Sequence, residues 1–114
     1  MALHYNLSKV YALSENDNDF VLQIVSLFVN EVPVDLIQIQ IGVEEKNYLQ
    51  AYSHAHKIKP TLDLLGMTVA FDEIILVEDW TKRQGKRKEI KETVKSISNK
   101  IEKAVKEISK DFIL

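Results

Sequence analysis

Apolar residues recur at steps of three and four along most of the chain, the spacing of one face of an α-helix. The pattern is clearest near the C-terminus, where it predicts one long amphipathic helix from about Lys86 to Phe112. Gly85 is expected to end the helix before it, which should begin with Thr68 as its N-cap. The expected inward positions of these two helices are Phe71, Ile74, Ile75, Val77 and Trp80, then Ile90, Val94, Ile97, Ile101, Ala104, Ile108 and Phe112.

The N-terminal part predicts shorter helices. Residues 7–13 form a short apolar segment that should cap one end of the fold, and the capping residues 17–19 start a helix that runs to about Asn30. Pro33 suits a helix start, so residues 34–45 are expected to form a separate helix. Gly42 inside it indicates close approach of a neighbouring helix. The apolar positions of these two helices are Phe20, Ile24, Leu27 and Phe28, then Ile37 and Ile41.

The segment from Asn47 to Gly66 is predicted to be a helix with two different faces. Asn47 followed by Gln50 is a capping-box pattern at its start, and Gly66 suits its end. At 100° per residue, one stripe is apolar and should be buried, and a second stripe beside it is polar. The apolar stripe is Ala51, Ala55, Ile58, Leu62 and Leu65, and the polar stripe is Tyr52, His56, Lys59 and Asp63.

Composition supports an all-α fold. The 114 residues include only three Gly and two Pro, so little interrupts regular structure, and the length suits one core. We therefore predict a single domain over residues 1–114: an antiparallel up-down-up-down four-helix bundle with a short extra N-terminal helix. The absence of cysteine excludes disulfides and thiol chemistry. With no run of eighteen apolar residues and no signal-peptide pattern, the expected location is the cytoplasm.

Charge is distributed unevenly along the chain. Residues 1–81 contain 4 Lys/Arg and 12 Asp/Glu, whereas residues 82–114 contain 11 and 5. Because the basic residues of the last helix alternate with acids and with a regular apolar stripe, they indicate a solvated helix face. Nucleic-acid or partner-helix binding is the weaker alternative, and salt-dependent binding to duplex DNA would support it.

His56 is the main candidate for chemistry. An imidazole is a competent nucleophile near neutral pH, and Lys59, three residues later on the same face, can offset the charge of a transferred phosphoryl group. His54 is two residues away and projects about 200° from His56, so the two cannot chelate one metal ion. We expect His54 to be a boundary residue without a chemical role. The adjacent acid pairs Glu44-Glu45, Asp72-Glu73 and Glu78-Asp79 are expected to be solvated, and no acid is predicted behind His56.

The segment Ala55-His56-Lys57-Ile58-Lys59-Pro60-Thr61-Leu62-Asp63-Leu64-Leu65-Gly66 resembles the signature of histidine phosphotransfer (HPt) domains. That signature is Ala-His, one variable residue, an aliphatic residue, Lys, Gly, two small residues, and Gly about ten residues after the His. The pattern Asp17-x-Asp19-Phe20, Phe28 and Pro33 is also similar to the family. The likeness covers roughly residues 5–112.

This resemblance implies that His56 accepts a phosphoryl group at Nε2 from the aspartyl phosphate of one receiver domain and passes it to another. Lys59 matches the family's lysine, with an electrostatic role. The module would be a carrier and not an enzyme, because no Gly-rich phosphate loop is present. Mg²⁺ would come from the receiver, so no cofactor or metal site is expected here. The expected partners are receiver domains of response regulators or hybrid histidine kinases, with the chain itself a monomer.

Pro60 stands where the family usually has Gly. Proline lacks the N–H that would bond to the carbonyl of His56, so a kink is expected just after that residue. The bend could tilt His56 outward, or Pro60 could simply be tolerated. The main alternative function is a helical interaction module that binds signalling partners but carries no phosphate because Pro60 blocks docking.

Overall fold

In the computed structural model, residues 2–114 are described, and they fold into five α-helices without a strand. The helices are α1 (Ser8–Leu13), α2 (Asn18–Glu44), α3 (Tyr48–Leu64), α4 (Thr68–Lys82) and α5 (Arg87–Asp111). The molecule measures 43 × 23 × 19 Å. The all-α prediction is confirmed, and α1, α3 and α5 lie within a few residues of their predicted limits.

The four long helices share one core. Helix α2 packs against α3 and α5, and α4 packs against the same two helices. Every residue of the predicted apolar stripe of α3 is buried, as are the predicted α5 positions from Ile90 to Ile108. Trp80 of α4 is fully buried and donates from Nε1 to the Lys86 carbonyl at 2.8 Å. The spacing of apolar residues therefore determined which faces of α3 and α5 point inward.

Helix α2 corrects one prediction. It runs unbroken through Pro33, where the sequence predicted an end and a new start. Its buried positions continue at helical spacing from Val25 and Phe28 through Val32 to Leu36 and Ile39, with no change of phase at the proline. Packing of this continuous stripe against α3 and α5 offsets the roughly 3 kcal/mol that an interior proline costs.

The outer face of α2 carries exposed apolar residues. Four of the apolar positions identified in the sequence for its two predicted helices are exposed, namely Phe20, Leu27, Ile37 and Ile41. By length and composition, α2 is also the one helix within residues 2–114 that could cross a membrane, with a mean hydropathy of 1.7 over an 18-residue window that is 33% buried. Core helices of soluble proteins pass the same test. Helix α2 is thus apolar on its uncovered side as well as on its buried side.

The turns confirm some cap predictions and correct others. Gly42 lies against Ala51, where an added Cβ would come within 2.7 Å of the Ala51 backbone nitrogen, so the predicted close approach of α2 and α3 is confirmed. Asn47 caps α3 by accepting from the Gln50 backbone N–H. Thr68, in contrast, is the first helical residue of α4 and not its cap. Helix α4 ends at Lys82, where Gln84 at φ 51° turns the chain, and not at Gly85.

Candidate functional site

Helix α3 presents His56 to solvent. Its neighbours on the helix, Ala55 and Ile58, are fixed in the core, and this anchoring sets the direction of the polar stripe. The side chain of His56 is 59% exposed and that of Lys59 is 26% exposed. The prediction that His56 and Lys59 share a polar face beside the buried stripe is confirmed.

A buried carboxylate lies behind this pair. Glu78 of α4 is buried, and its Oε2 lies 2.8 Å from Nδ1 of His56 while its Oε1 lies 2.9 Å from Nζ of Lys59. An ionised carboxylate only accepts hydrogen bonds, so Nδ1 of His56 carries the proton and donates it to Glu78. In this tautomer the lone pair is on Nε2. Glu78 therefore sets both the orientation of the ring and the nitrogen that can act as a nucleophile.

Glu78 is ionised despite its burial. Burial by itself raises the pKa of a carboxyl group, but the hydrogen bonds from Lys59 and His56 outweigh it and hold the pKa of Glu78 below its ordinary value. The Glu78 carboxylate and the Lys59 ammonium form an ion pair beside the imidazole. A positive charge that develops on the ring is consequently stabilised by the adjacent carboxylate.

Glu78 is the residue at the site that no sequence prediction included, and the expectation that the Glu78-Asp79 pair is solvated was wrong for its first member. A signal was present: Glu78 follows Ile74 by four residues and Val77 by one, which places it on the buried side of α4. Glu73 is a further correction, because its side chain is only 16% exposed and pairs with Lys100 at 2.9 Å. The pair Glu44-Glu45 is exposed, as expected.

An aromatic ring packs against one face of the His56 imidazole. Tyr52, one turn before His56, stacks on it with ring centroids 5.5 Å apart and planes 13° from parallel. Lys82 Nζ lies 5.8 Å from the centroid of the Tyr52 ring. His56 is thus held at one nitrogen by Glu78 and on one face by Tyr52, and Lys82 adds a second cation to the surroundings.

His54 projects to the other side of α3, as predicted. Its Nδ1 lies 2.7 Å from Oδ1 of Asp35 on α2, and Lys57 reaches the same carboxylate at 3.2 Å. Asp35 is buried, and no pattern in the sequence predicted its contact with His54. His54 is half-buried at the junction of two helices, which confirms the boundary interpretation. The two histidines contact carboxylates of different helices and form no common site.

Asp63 and Pro60 of α3 are also exposed at the surface. Asp63, the last member of the polar stripe, pairs with Lys9 of α1 at 2.7 Å. Pro60 is exposed, and α3 remains helical through it to Leu64, so the proline does not end the helix. The bend expected at Pro60 stays a prediction.

The ion pair at Glu78 predicts a pH dependence of stability. Because its pKa is lower in the folded chain than its ordinary value of 4.5, Glu78 contributes stability above about pH 4.5. That contribution is lost as the pH falls through the folded-state pKa. Between pH 7 and pH 3, the free energy of unfolding in urea should fall further for the wild type than for Glu78→Gln.

Exposed Glu44 provides the control, since Glu44→Gln should follow the wild type across this range. Glu89 and Glu107 also have lowered pKa values, because backbone N–H groups donate hydrogen bonds to them. Both residues are present in all three proteins, so their effects on the pH dependence of unfolding cancel in the comparison. An equal loss of stability in the wild type and Glu78→Gln would contradict the prediction.

Comparison of the chain with protein-family models gives no match, and comparisons with curated proteins and with solved structures give none either.

Proposed function

We propose that this protein is a histidine phosphotransfer module that carries a phosphoryl group on Nε2 of His56 between aspartates of receiver domains. One observation carries the proposal: an exposed imidazole on a rigid helix donates its Nδ1 proton to a buried carboxylate. This arrangement leaves Nε2 as the nucleophilic nitrogen on the exposed ring. The sequence likeness around His56 points to the same reaction.

The transfer step follows from this geometry. The lone pair of Nε2 attacks the phosphorus of an aspartyl phosphate, forming an N–P bond as the P–O bond to the aspartate breaks. The electron pair of that bond leaves with the aspartate carboxylate. The imidazole becomes cationic and keeps its Nδ1 proton, and the negative charge of Glu78 compensates the ring. Return of the phosphoryl group to a second aspartate reverses these steps.

Lys59 and Lys82 supply positive charge near the phosphoryl group. Lys59 has three N–H donors, of which Glu78 occupies one, so the others can point to phosphoryl oxygens. Lys82 is exposed beside the ring that stacks on His56. We assign Lys59 the electrostatic role that the sequence suggested, and Glu78 the role of positioning residue for His56.

The arrangement of helices supports the antiparallel bundle that the proposal needs. The contacts of α2 with α3, α3 with α4, α4 with α5 and α5 with α2 form a closed ring. Consecutive long helices are joined by segments of only three or four residues. Short connections favour antiparallel neighbours, so we assign the four long helices an up-down-up-down order.

Phosphoryl transfer from a phosphorylated receiver domain tests the proposal. Incubation with radiolabelled receivers should label the wild type with a phosphate that is stable to base and labile to acid. His56→Gln should abolish the label. His54→Gln is the matched control, since it changes a histidine on the same helix, and it should keep the label.

Circular dichroism should show the same helix content in both variants. Labelling that persists in His56→Gln, or that is lost only in His54→Gln, would overturn the assignment. Receiver binding to the wild type without any label would instead support the alternative of an interaction module without phosphate transfer.

A further inference from the structure

The outer face of α2 is apolar and uncovered. Five large side chains on it are between 37% and 57% exposed, and half-buried Ile24 lies at its edge. No Lys or Arg occurs anywhere in the 27 residues of α2. Exposed apolar surface of this extent on one helix is typical of an interaction site. The five exposed residues are Phe20, Leu27, Val34, Ile37 and Ile41.

The spacing of the apolar residues on this outer face indicates that a helix of another molecule packs against it. Phe20, Leu27, Val34 and Ile41 follow one another at intervals of seven residues. A seven-residue apolar repeat keeps a stripe in register along a neighbouring helix that crosses at a small angle. The stripe from Phe20 to Ile41 is roughly 32 Å long at 1.5 Å per residue, which is the length of a whole helix and not of a small pocket.

The pattern of residues on this outer face is nearly the same when α2 is read in the opposite direction. If α2 is read backwards about the midpoint between Asn30 and Glu31, apolar residues fall opposite apolar residues and a glutamine falls opposite a glutamine. A twofold interface requires this property, because residue i then contacts residue j and residue j contacts residue i. The matched positions are Phe20 with Ile41, Ile24 with Ile37, Leu27 with Val34, and Gln23 with Gln38.

We infer that two copies of this chain associate through α2, packed antiparallel about a twofold axis between Asn30 and Glu31. Burial of the apolar stripe drives the association, at about 25 cal/mol for each Å² removed from water. This inference replaces the monomer that the resemblance to histidine phosphotransfer domains implied.

The charges on and beside α2 fit a second copy. Glu31 is the one acid close to the axis, and Lys57 of the same chain lies 3.7 Å from it, so the two Glu31 side chains are partly neutralised where they approach. Gln38 Oε1 already accepts a hydrogen bond from Gln50 of α3 at 2.8 Å, and the Gln38 amide nitrogen can still donate to Gln23 of the second copy without a need for opposite charge. A lipid surface is a poor match, because helices that lie on membranes carry Lys and Arg beside the apolar face.

The proposed interface leaves the His56 site uncovered. His56 and Glu78 lie between α3 and α4, whereas the interface uses the exposed apolar residues of α2 from Phe20 to Ile41. Each copy of the dimer would therefore present its own His56 to solvent. The inference does not rest on the proposed phosphotransfer, and either can hold without the other.

Light scattering coupled to size exclusion tests the dimer. The wild type should elute with twice the 13.1 kDa mass of the chain, and Val34→Glu should elute as a monomer with unchanged helix content. The control is Leu76→Glu, which adds the same charge at an exposed leucine of α4 and should remain a dimer. A monomeric wild type, or a Val34→Glu protein that keeps the dimer mass, would overturn the inference.

Cross-linking tests the antiparallel orientation. The chain has no cysteine, so a single introduced one reports a single position. Asn30→Cys lies at the axis and should be joined to its copy by a short bis-maleimide. Gln23→Cys should not, because an antiparallel arrangement places the two copies of residue 23 about 22 Å apart along the helices. Cross-linking at both positions, or sedimentation of the wild type with anionic vesicles in place of dimerisation, would overturn the inference.

Discussion

Under the proposed phosphotransfer function, replacing Glu78 with glutamine is expected to slow phosphoryl transfer to His56 by about 10²-fold or more. The glutamine amide can donate a hydrogen bond to Nδ1, which favours the tautomer with the proton on Nε2 and removes the nucleophilic lone pair. The negative charge that stabilises the cationic imidazole is lost at the same time. Lys59 also loses the negative charge of its ion-pair partner, since its Nζ lies 2.9 Å from the Glu78 carboxylate.

The rate of label transfer from a receiver measures this effect, and nitrogen NMR of His56 measures the tautomer without any partner. Glu73→Gln is the matched control on the same helix, because Glu73 is also shielded from solvent but pairs with Lys100, away from His56. It should transfer at the wild-type rate. An unchanged tautomer and rate in Glu78→Gln would show that Glu78 does not position the imidazole.

Truncating Trp80 to alanine is expected to lower the free energy of unfolding by about 3–5 kcal/mol. Trp80 is the largest fully buried side chain, and its ring centroid lies 5.0 Å from that of Tyr48. Its Nε1 donates to the carbonyl of Lys86, which fixes the turn between α4 and α5. For a domain whose total stability is typically about 5–15 kcal/mol, this loss is a large fraction.

Urea unfolding followed by circular dichroism measures the loss, since the variant has no tryptophan fluorescence. Trp80→Phe separates the two causes, because it keeps most of the ring volume but leaves the Lys86 carbonyl without its donor. A smaller loss than in Trp80→Ala is expected for it. A fall of less than 1 kcal/mol in Trp80→Ala would mean that the α4 end of the core contributes little to stability.

The sequence predicted most of the helices because their signals are local. The apolar stripe of α5 repeats from Ile90 to Ile108, about five turns at 3.6 residues per turn, and Asn47 marks the start of α3 by its capping side chain. The close helix contact at Gly42 could be predicted from the sequence, since a glycine inside a helix is unfavourable unless a neighbouring helix leaves no room for a side chain. Each of these features depends on residues within a few positions of one another.

Helix α2 shows where local signals fail. Pro33 suits a helix start, yet the packing of one continuous stripe against two helices outweighs the local preference. The sequence pattern also did not indicate which of the two apolar faces of α2 is buried and which is exposed. Val32 and Val34 are chemically alike, and only the positions of α3 and α5 decide that the first is buried and the second exposed.

The relation between His56 and Lys59, which share the polar face of a helix whose other face is buried, follows from the sequence, since helix geometry alone fixes it. The packing of α3 against α4 and α2, in contrast, places Glu78, 22 residues from His56, behind it, and places Asp35 behind His54. Contacts between residues so far apart depend on how neighbouring helices pack and rotate. That arrangement is set by the whole core, so no local pattern around His56 could specify it.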